Sequence, residues 1–97
     1  MISANIKMLR ESMGLSQSGL AKRLGVTRAS VNAWEMDLAA PTTPYVIEMA
    51  RLFHTSTDYI LGLEEEEKIS LRGMNEEEKR LVYSLVEYIS QKKSPLP

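Results

Sequence analysis

The sequence predicts an all-α fold, a compact five-helix unit followed by one C-terminal amphipathic helix. Apolar residues recur at helical spacing in six separate stretches, and residues that cap helices stand before most of them. No stretch holds the two-residue alternation of a strand over a useful length, the brief KISLRG at 68–73 being the nearest approach. At 97 residues and 43% hydrophobic composition, the chain can bury one small core. It has no cysteine, so neither a disulfide nor a thiolate zinc site staples that core, which suits a reducing compartment.

Each element has its own signal. Ile2, Ile6, Leu9 and Met13 mark a first helix over about 3–13, which Gly14 stops. Ser16 is a good N-cap for a short second helix, whose stripe of Leu20, Ala21 and Leu24 ends before Gly25. Thr27 caps the third, and Val31, Trp34 and Leu38 mark its buried side. Pro41 and Pro44 bracket a loop, after which Val46, Met49, Ala50 and Phe53 define a fourth helix. Ser56 caps a short fifth helix, TDYILGL, closed near Gly62.

After Gly62 the composition changes. The charge run EEEEK is a solvated boundary, dividing the chain into a domain at 1–63, an acidic linker at 64–74, a helix at 75–93 and a tail at 94–97. Asn75 and Glu78 have the spacing of a cap with a reciprocating acid, and Glu76 to Glu78 at the start with Lys92 and Lys93 at the end suit the helix dipole. Leu81, Val82, Leu85, Val86 and Ile89 share one face, which must bury against something. That face can dimerise, bind a different protein, or fold back on its own domain.

Other function classes find little support. The N-terminal MISANIKMLRESMG mixes polar and apolar residues, unlike a signal peptide or membrane span, so a cytoplasmic location is expected. His54 is the single histidine and lacks a Cys or second His beside it, so no metal is expected. Met8, Met13, Met36, Met49 and Met74 read as core or interface filler. There is no Gly-rich phosphate loop and no nucleophile with a base nearby, so neither an enzyme nor a cofactor nor a small-molecule ligand is implied.

Charge points elsewhere. The net charge is −1, but residues 1–34 carry Lys7, Arg10, Lys22, Arg23 and Arg28 against Glu11 alone, which leaves the acids to the rest of the chain. A local positive face is what a polyanion needs. Stepping about 100° per residue from Val31 puts Trp34 and Glu35 near the core side of helix three and Ala29, Asn32, Ala33 and Met36 opposite. That outward face is small and polar, as a helix entering a major groove requires, and Asn and Arg are suited to base edges.

Gln17, Ala21, Gly25, Val31 and Trp34 match the spacing of a helix-turn-helix, and the stretch from Ile6 to Gly62 resembles the Cro/C1-type (XRE) family of phage repressors and bacterial regulators. The resemblance implies a lambda-repressor-like domain that binds double-stranded DNA, with residues 27–37 as the recognition helix. It places Gln17 and Thr27 at backbone-contact positions, Gln17 also near a base, and Arg28, Ala29, Asn32 and Ala33 at base contacts. Arg10 and Glu35 match a buried ion pair, with Arg10 close to a phosphate. Three positions depart from the family: Asp37 replaces a common glycine, DLAAPTTP lacks basic residues that grip phosphate, and Thr55 stands where an aliphatic residue is usual. The expected function is a transcriptional regulator, a repressor by analogy, reading a palindromic operator as a homodimer joined through Leu81–Ile89. The alternative is a protein-interaction module, such as an antitoxin or anti-repressor partner, that uses the C-terminal helix.

Overall fold

The computed structural model describes residues 1–93, and the expected tail at 94–97 lies outside the described residues. Six helices follow in order: α1 (Ile2–Ser12), α2 (Gln17–Leu24), α3 (Arg28–Glu35), α4 (Thr43–Leu52), α5 (Thr57–Leu61) and α6 (Glu76–Lys93). There is no strand among the described residues, and KISLRG is irregular chain.

The caps fix where these helices begin. Ser16 Oγ accepts from Gly19 N at 2.9 Å, Thr27 Oγ1 from Ser30 N at 3.1 Å, and Ser56 Oγ from Tyr59 N at 3.0 Å. Each satisfies an amide that the first turn leaves orphaned, stabilising its helix by about 1 kcal/mol. Asn75 and Glu78 form the expected reciprocal cap of α6, with Asn75 Oδ1 accepting at 2.8 Å and Glu78 Oε1 at 2.9 Å. Pro44 does not belong to the preceding loop. It stands in the first turn of α4, where its missing N–H has no partner to lose.

One core joins the first five helices. Ile6 and Leu9 of α1, Leu20 and Ala21 of α2, Val31 and Trp34 of α3, Val46, Met49 and Ala50 of α4, Phe53 after it, and Tyr59 and Ile60 of α5 are all buried. The Trp34 ring stacks obliquely on Tyr45, with centroids 5.8 Å apart. Asn5 Nδ2 donates to Tyr59 O at 2.7 Å, tying α1 to α5. Of the five methionines expected as filler, Met49 is in the core, whereas Met8, Met13 and Met36 are exposed. Met13 follows the end of α1, and Met8 and Met36 point away from the α1 and α3 stripes.

Leu38 is the clearest departure from the sequence pattern. It is 77% exposed, not buried, because α3 ends at Glu35 and Asp37 turns left-handed at φ 59°. The Leu38 amide then donates back to Ala33 O at 2.8 Å and its side chain leaves the buried face. Past that turn, helical spacing no longer says which way a residue points.

The acidic linker is partly pinned. Ser70 N donates to His54 O at 2.7 Å, Ser56 Oγ to Glu64 Oε2 at 3.2 Å, and Lys68 pairs with Glu64 at 3.0 Å. By contrast α6 stands away from the domain, with Leu81, Leu85, Val86 and Ile89 all exposed. The fold-back arrangement is therefore not adopted. No helix of the described residues is long and apolar enough to cross a membrane.

Candidate nucleic-acid interface

The turn between α2 and α3 is built from three residues. Ala21 is buried and small enough for α3 to cross it, Gly25 adopts φ 72°, and the Val26 amide donates to Ala21 O at 3.0 Å. A Cβ on Gly25 would meet nothing within 4 Å, so the glycine is needed for its left-handed backbone and not for space. Thr27 then caps α3 one residue before it starts, shortening the expected 27–37 helix to eight residues.

Two anchors hold α3 inward, Val31 with no exposed surface and Trp34 close to that. Thr27, Arg28, Ala29 and Asn32 are exposed on the other side and Ala33 is half-buried. Arg28 forms neither an ion pair nor a side-chain hydrogen bond among the described residues. The first turn of α3 carries no acid to oppose an incoming anion.

Behind α3 lies a polar network. Arg10 Nε and Nη2 donate to Glu35 Oε2 at 2.6 Å and Oε1 at 3.0 Å, while Nη1 donates to Leu15 O at 2.7 Å. Both side chains are at least nine-tenths buried. Gln17 Nε2 donates to Glu35 Oε1 at 3.1 Å and to Asn32 Oδ1 at 3.2 Å. Burial pushes the Glu35 carboxyl up, but hydrogen bonds from Arg10 and Gln17 and the charges of Arg10 and Lys7 outweigh it and hold the group below its ordinary 4.5. The hydrogen bond to Glu35 raises Arg10 further above its ordinary value, against the opposing effect of burial.

The structure thus brings Arg10, Gln17, Asn32 and Glu35 into one chain of contacts and leaves Arg28 and Ala29 outside it. The links from Gln17 to Glu35 and Asn32, and from Arg10 to the Leu15 carbonyl, are absent from the sequence pattern. A glutamine opening α2 gives no local sign of a partner 18 residues away. A cavity of about 560 Å³ between the α4–α5 turn and the linker, lined in part by Arg51, Thr55 and Arg72, includes none of these residues. Among the described residues no group of three or more His, Cys, Asp or Glu is placed to hold a metal.

An α2 anchored in the core by Leu20 and Ala21, a left-handed glycine and an outward α3 with a small polar face are the parts of a helix-turn-helix domain. The chain belongs to the helix-turn-helix family HTH_3, whose profile matches residues 6–60. It is similar to the HTH-type transcriptional regulator YqaE of Bacillus subtilis, 33% identical over 69 residues that make up 71% of this chain and 60% of that protein. The chain spans 53–60% of the length of the curated relatives it matches. The P22 c2 repressor, solved in complex with a synthetic operator, superposes with a TM-score of 0.59 at 22% identity, over 62% of this chain and 91% of that one. A transcriptional regulator from Listeria innocua superposes over 99% of this chain and 97% of its own, with a TM-score of 0.63 at 23% identity. At such identities the likeness is one of fold, which in the second case runs through α6.

Proposed function

We propose that the protein is a sequence-specific regulator of transcription that binds double-stranded DNA, with α3 in the major groove. The observation that carries this reading is the exposed, small-residue face of α3 backed by a buried ion pair that fixes its orientation. Residues 1–63 form the DNA-binding unit, 64–74 the linker, and 75–93 a dimerisation helix acting through Leu81, Val82, Leu85, Val86 and Ile89. Arg28 extends toward base edges, Ala29 and Ala33 let the helix approach closely, and Thr27 faces a phosphate, whereas Arg10, expected near a phosphate, is buried with its guanidinium donors on Glu35 and Leu15 O and acts from behind α3. The Thr42 side chain makes no capping hydrogen bond at the start of α4, which leaves its hydroxyl and the first amides of that helix for a phosphate where DLAAPTTP has no basic residue. Such a protein works in the cytoplasm and represses by occupying its operator.

The free state of Asn32 bears on what it reads. Its Oδ1 accepts one hydrogen bond from Gln17 and keeps a second lone pair, and bidentate pairing with adenine uses both the oxygen and the nitrogen. Gln17 can release Asn32 and keep Glu35 as a partner. An adenine contact by Asn32 therefore fits with the network behind the helix, whether or not Gln17 lets go.

Selection of bound duplexes from a random pool tests the reading. The expected result is an inverted repeat whose half-sites lie about one helical turn, roughly 34 Å, apart. Recovery of no motif at low salt would overturn it. Arg28→Ala should cost about 1–3 kcal/mol and relax one position in each half-site, whereas a uniform loss on all sequences would make Arg28 a phosphate contact. A second reading, that α6 carries a different protein, is favoured by its uncovered apolar face. Sedimentation of the full chain separates the two, a dimer supporting the first and a monomer the second.

A further inference from the structure

We infer that two copies of α6 pair antiparallel, crossing at Leu85, and that this arrangement sets the spacing of the two DNA-binding domains. The inference rests on the homodimer reading above and adds the orientation and register that reading leaves open.

The residues of α6 are arranged symmetrically about Leu85. Leu81 and Ile89 lie four positions to either side, Val82 and Tyr88 three, and Glu78 and Lys92 seven. At about 100° per residue all seven fall within one arc of roughly 120°, centred on Leu85. Tyr88 is exposed with the apolar residues, and Lys92 Nζ lies 5.5 Å from its ring centre. The two charges on this arc are opposite in sign and sit at opposite ends.

That distribution discriminates between the two pairings. In a parallel pair Glu78 meets Glu78 and Lys92 meets Lys92, each a like-charge contact at the edge of an apolar seam. In an antiparallel pair Glu78 of one copy meets Lys92 of the other at both ends, Leu81 lies across from Ile89, Val82 and Tyr88 flank the seam at one level, and Leu85 meets itself. Glu78 uses Oε1 for the cap on Asn75, and its second carboxylate oxygen has no hydrogen bond among the described residues. The rest of the helix agrees, since Glu76 and Glu77 stand in the first turn and Lys92 and Lys93 in the last. Antiparallel macrodipoles add to the same preference.

The pairing has a geometric consequence for DNA. An 18-residue helix is about 27 Å long, so an antiparallel pair launches its two linkers from points about that far apart. A parallel pair launches both from one end. The antiparallel distance approaches the roughly 34 Å between successive major-groove faces, leaving the linkers a short span to cover.

Cross-linking tests this directly, because the chain has no cysteine of its own. Glu78→Cys and Lys92→Cys are made separately in the full chain, oxidised alone and after mixing through a denaturation and refolding step, and run on non-reducing gels. The antiparallel pair predicts a disulfide-linked species only in the mixture, since like positions are about 21 Å apart along the helix axis. Leu81→Cys with Ile89→Cys, nearer the centre of the seam, repeats the test without touching the α6 cap, and the same pattern is expected. Self-linking of the single variants, with nothing added by mixing, overturns the antiparallel register while leaving the dimer in place. A sedimenting dimer that links in neither case also overturns the register. A monomer in sedimentation overturns both the inference and the homodimer reading beneath it.

Discussion

Thr55→Val should stabilise the protein. Thr55 follows the turn at the end of α4, is 8% exposed, and donates its amide to Ala50 O at 3.0 Å. Its Oγ1 is inaccessible and has no hydrogen-bond partner among the described residues. A hydroxyl left unpaired away from water costs about 1–3 kcal/mol. Valine keeps the branched shape and puts a methyl in place of the oxygen, so the penalty is removed with little repacking. We expect a gain of about 1–2 kcal/mol, equivalent to about 4–8 °C in Tm for each kcal/mol in a domain of this size. Trp34 is the one tryptophan and lies in the core, which makes its fluorescence a probe of urea unfolding. The midpoint should rise with the slope unchanged, at fixed protein concentration so that any dimer does not move it. Thr55→Ser serves as the control, keeping the hydroxyl and deleting the methyl, and should be less stable than the parent. A Val variant no more stable than the parent would show that the hydroxyl has a partner after all.

Three further perturbations follow from the same structure. Asp37→Gly relieves a left-handed residue at φ 59° and should add about 0.5–1 kcal/mol after the extra chain entropy of glycine is offset, read as a higher urea midpoint. Glu35 titrates below its ordinary 4.5 in the folded protein, so its contribution is fully present at neutral pH and is lost as pH falls through that lowered value. Unfolding measured from pH 7 to 3 should show that loss, and Glu35→Gln should flatten it. Arg10→Met with Glu35→Leu removes the buried pair as a unit and should leave stability within about 1 kcal/mol of the parent or above it, because desolvation offsets the attraction. DNA affinity measured on the same variant should fall, and an unchanged affinity would mean that the pair does not orient α3.

The five helices of the domain were legible because their signals are local. Ser16, Thr27 and Ser56 cap in place, Gly25 turns where the pattern breaks, and the stripe of each helix is short enough that its period does not drift. Leu38 was misplaced for the converse reason. One left-handed residue, Asp37, rotates everything after it, and apolar spacing carries no record of such a rotation. Of the methionines read as core or interface filler, Met49 is core, and the outward position of Met36 followed from the periodicity of helix three. At the candidate interface, the outward side of α3 followed from periodicity, and the Arg10–Glu35 pair came through family resemblance. Gln17 reaching Glu35 and Asn32 came from neither, because side-chain partners across a turn depend on how the two helices are packed.

That missed contact is where orientation and recognition meet. An eight-residue helix has too few internal bonds to be stable alone, and Val31 and Trp34 fix its depth in the core more firmly than its rotation about its own axis. Glu35 adds a restraint on that rotation, held by two hydrogen bonds from Arg10 on α1 and one from Gln17 on α2. Of these partners only Gln17 also touches a residue on the outward face, and its contact with Asn32 is the longest in the network at 3.2 Å and lies in an exposed position. On the proposed reading, in which Asn32 turns to a base, the one contact at stake is the longest in the network, while the two bonds to Arg10 remain. On that reading, rearrangement at the outward face is confined to a single amide, and α3 enters the groove with its angle already held from behind.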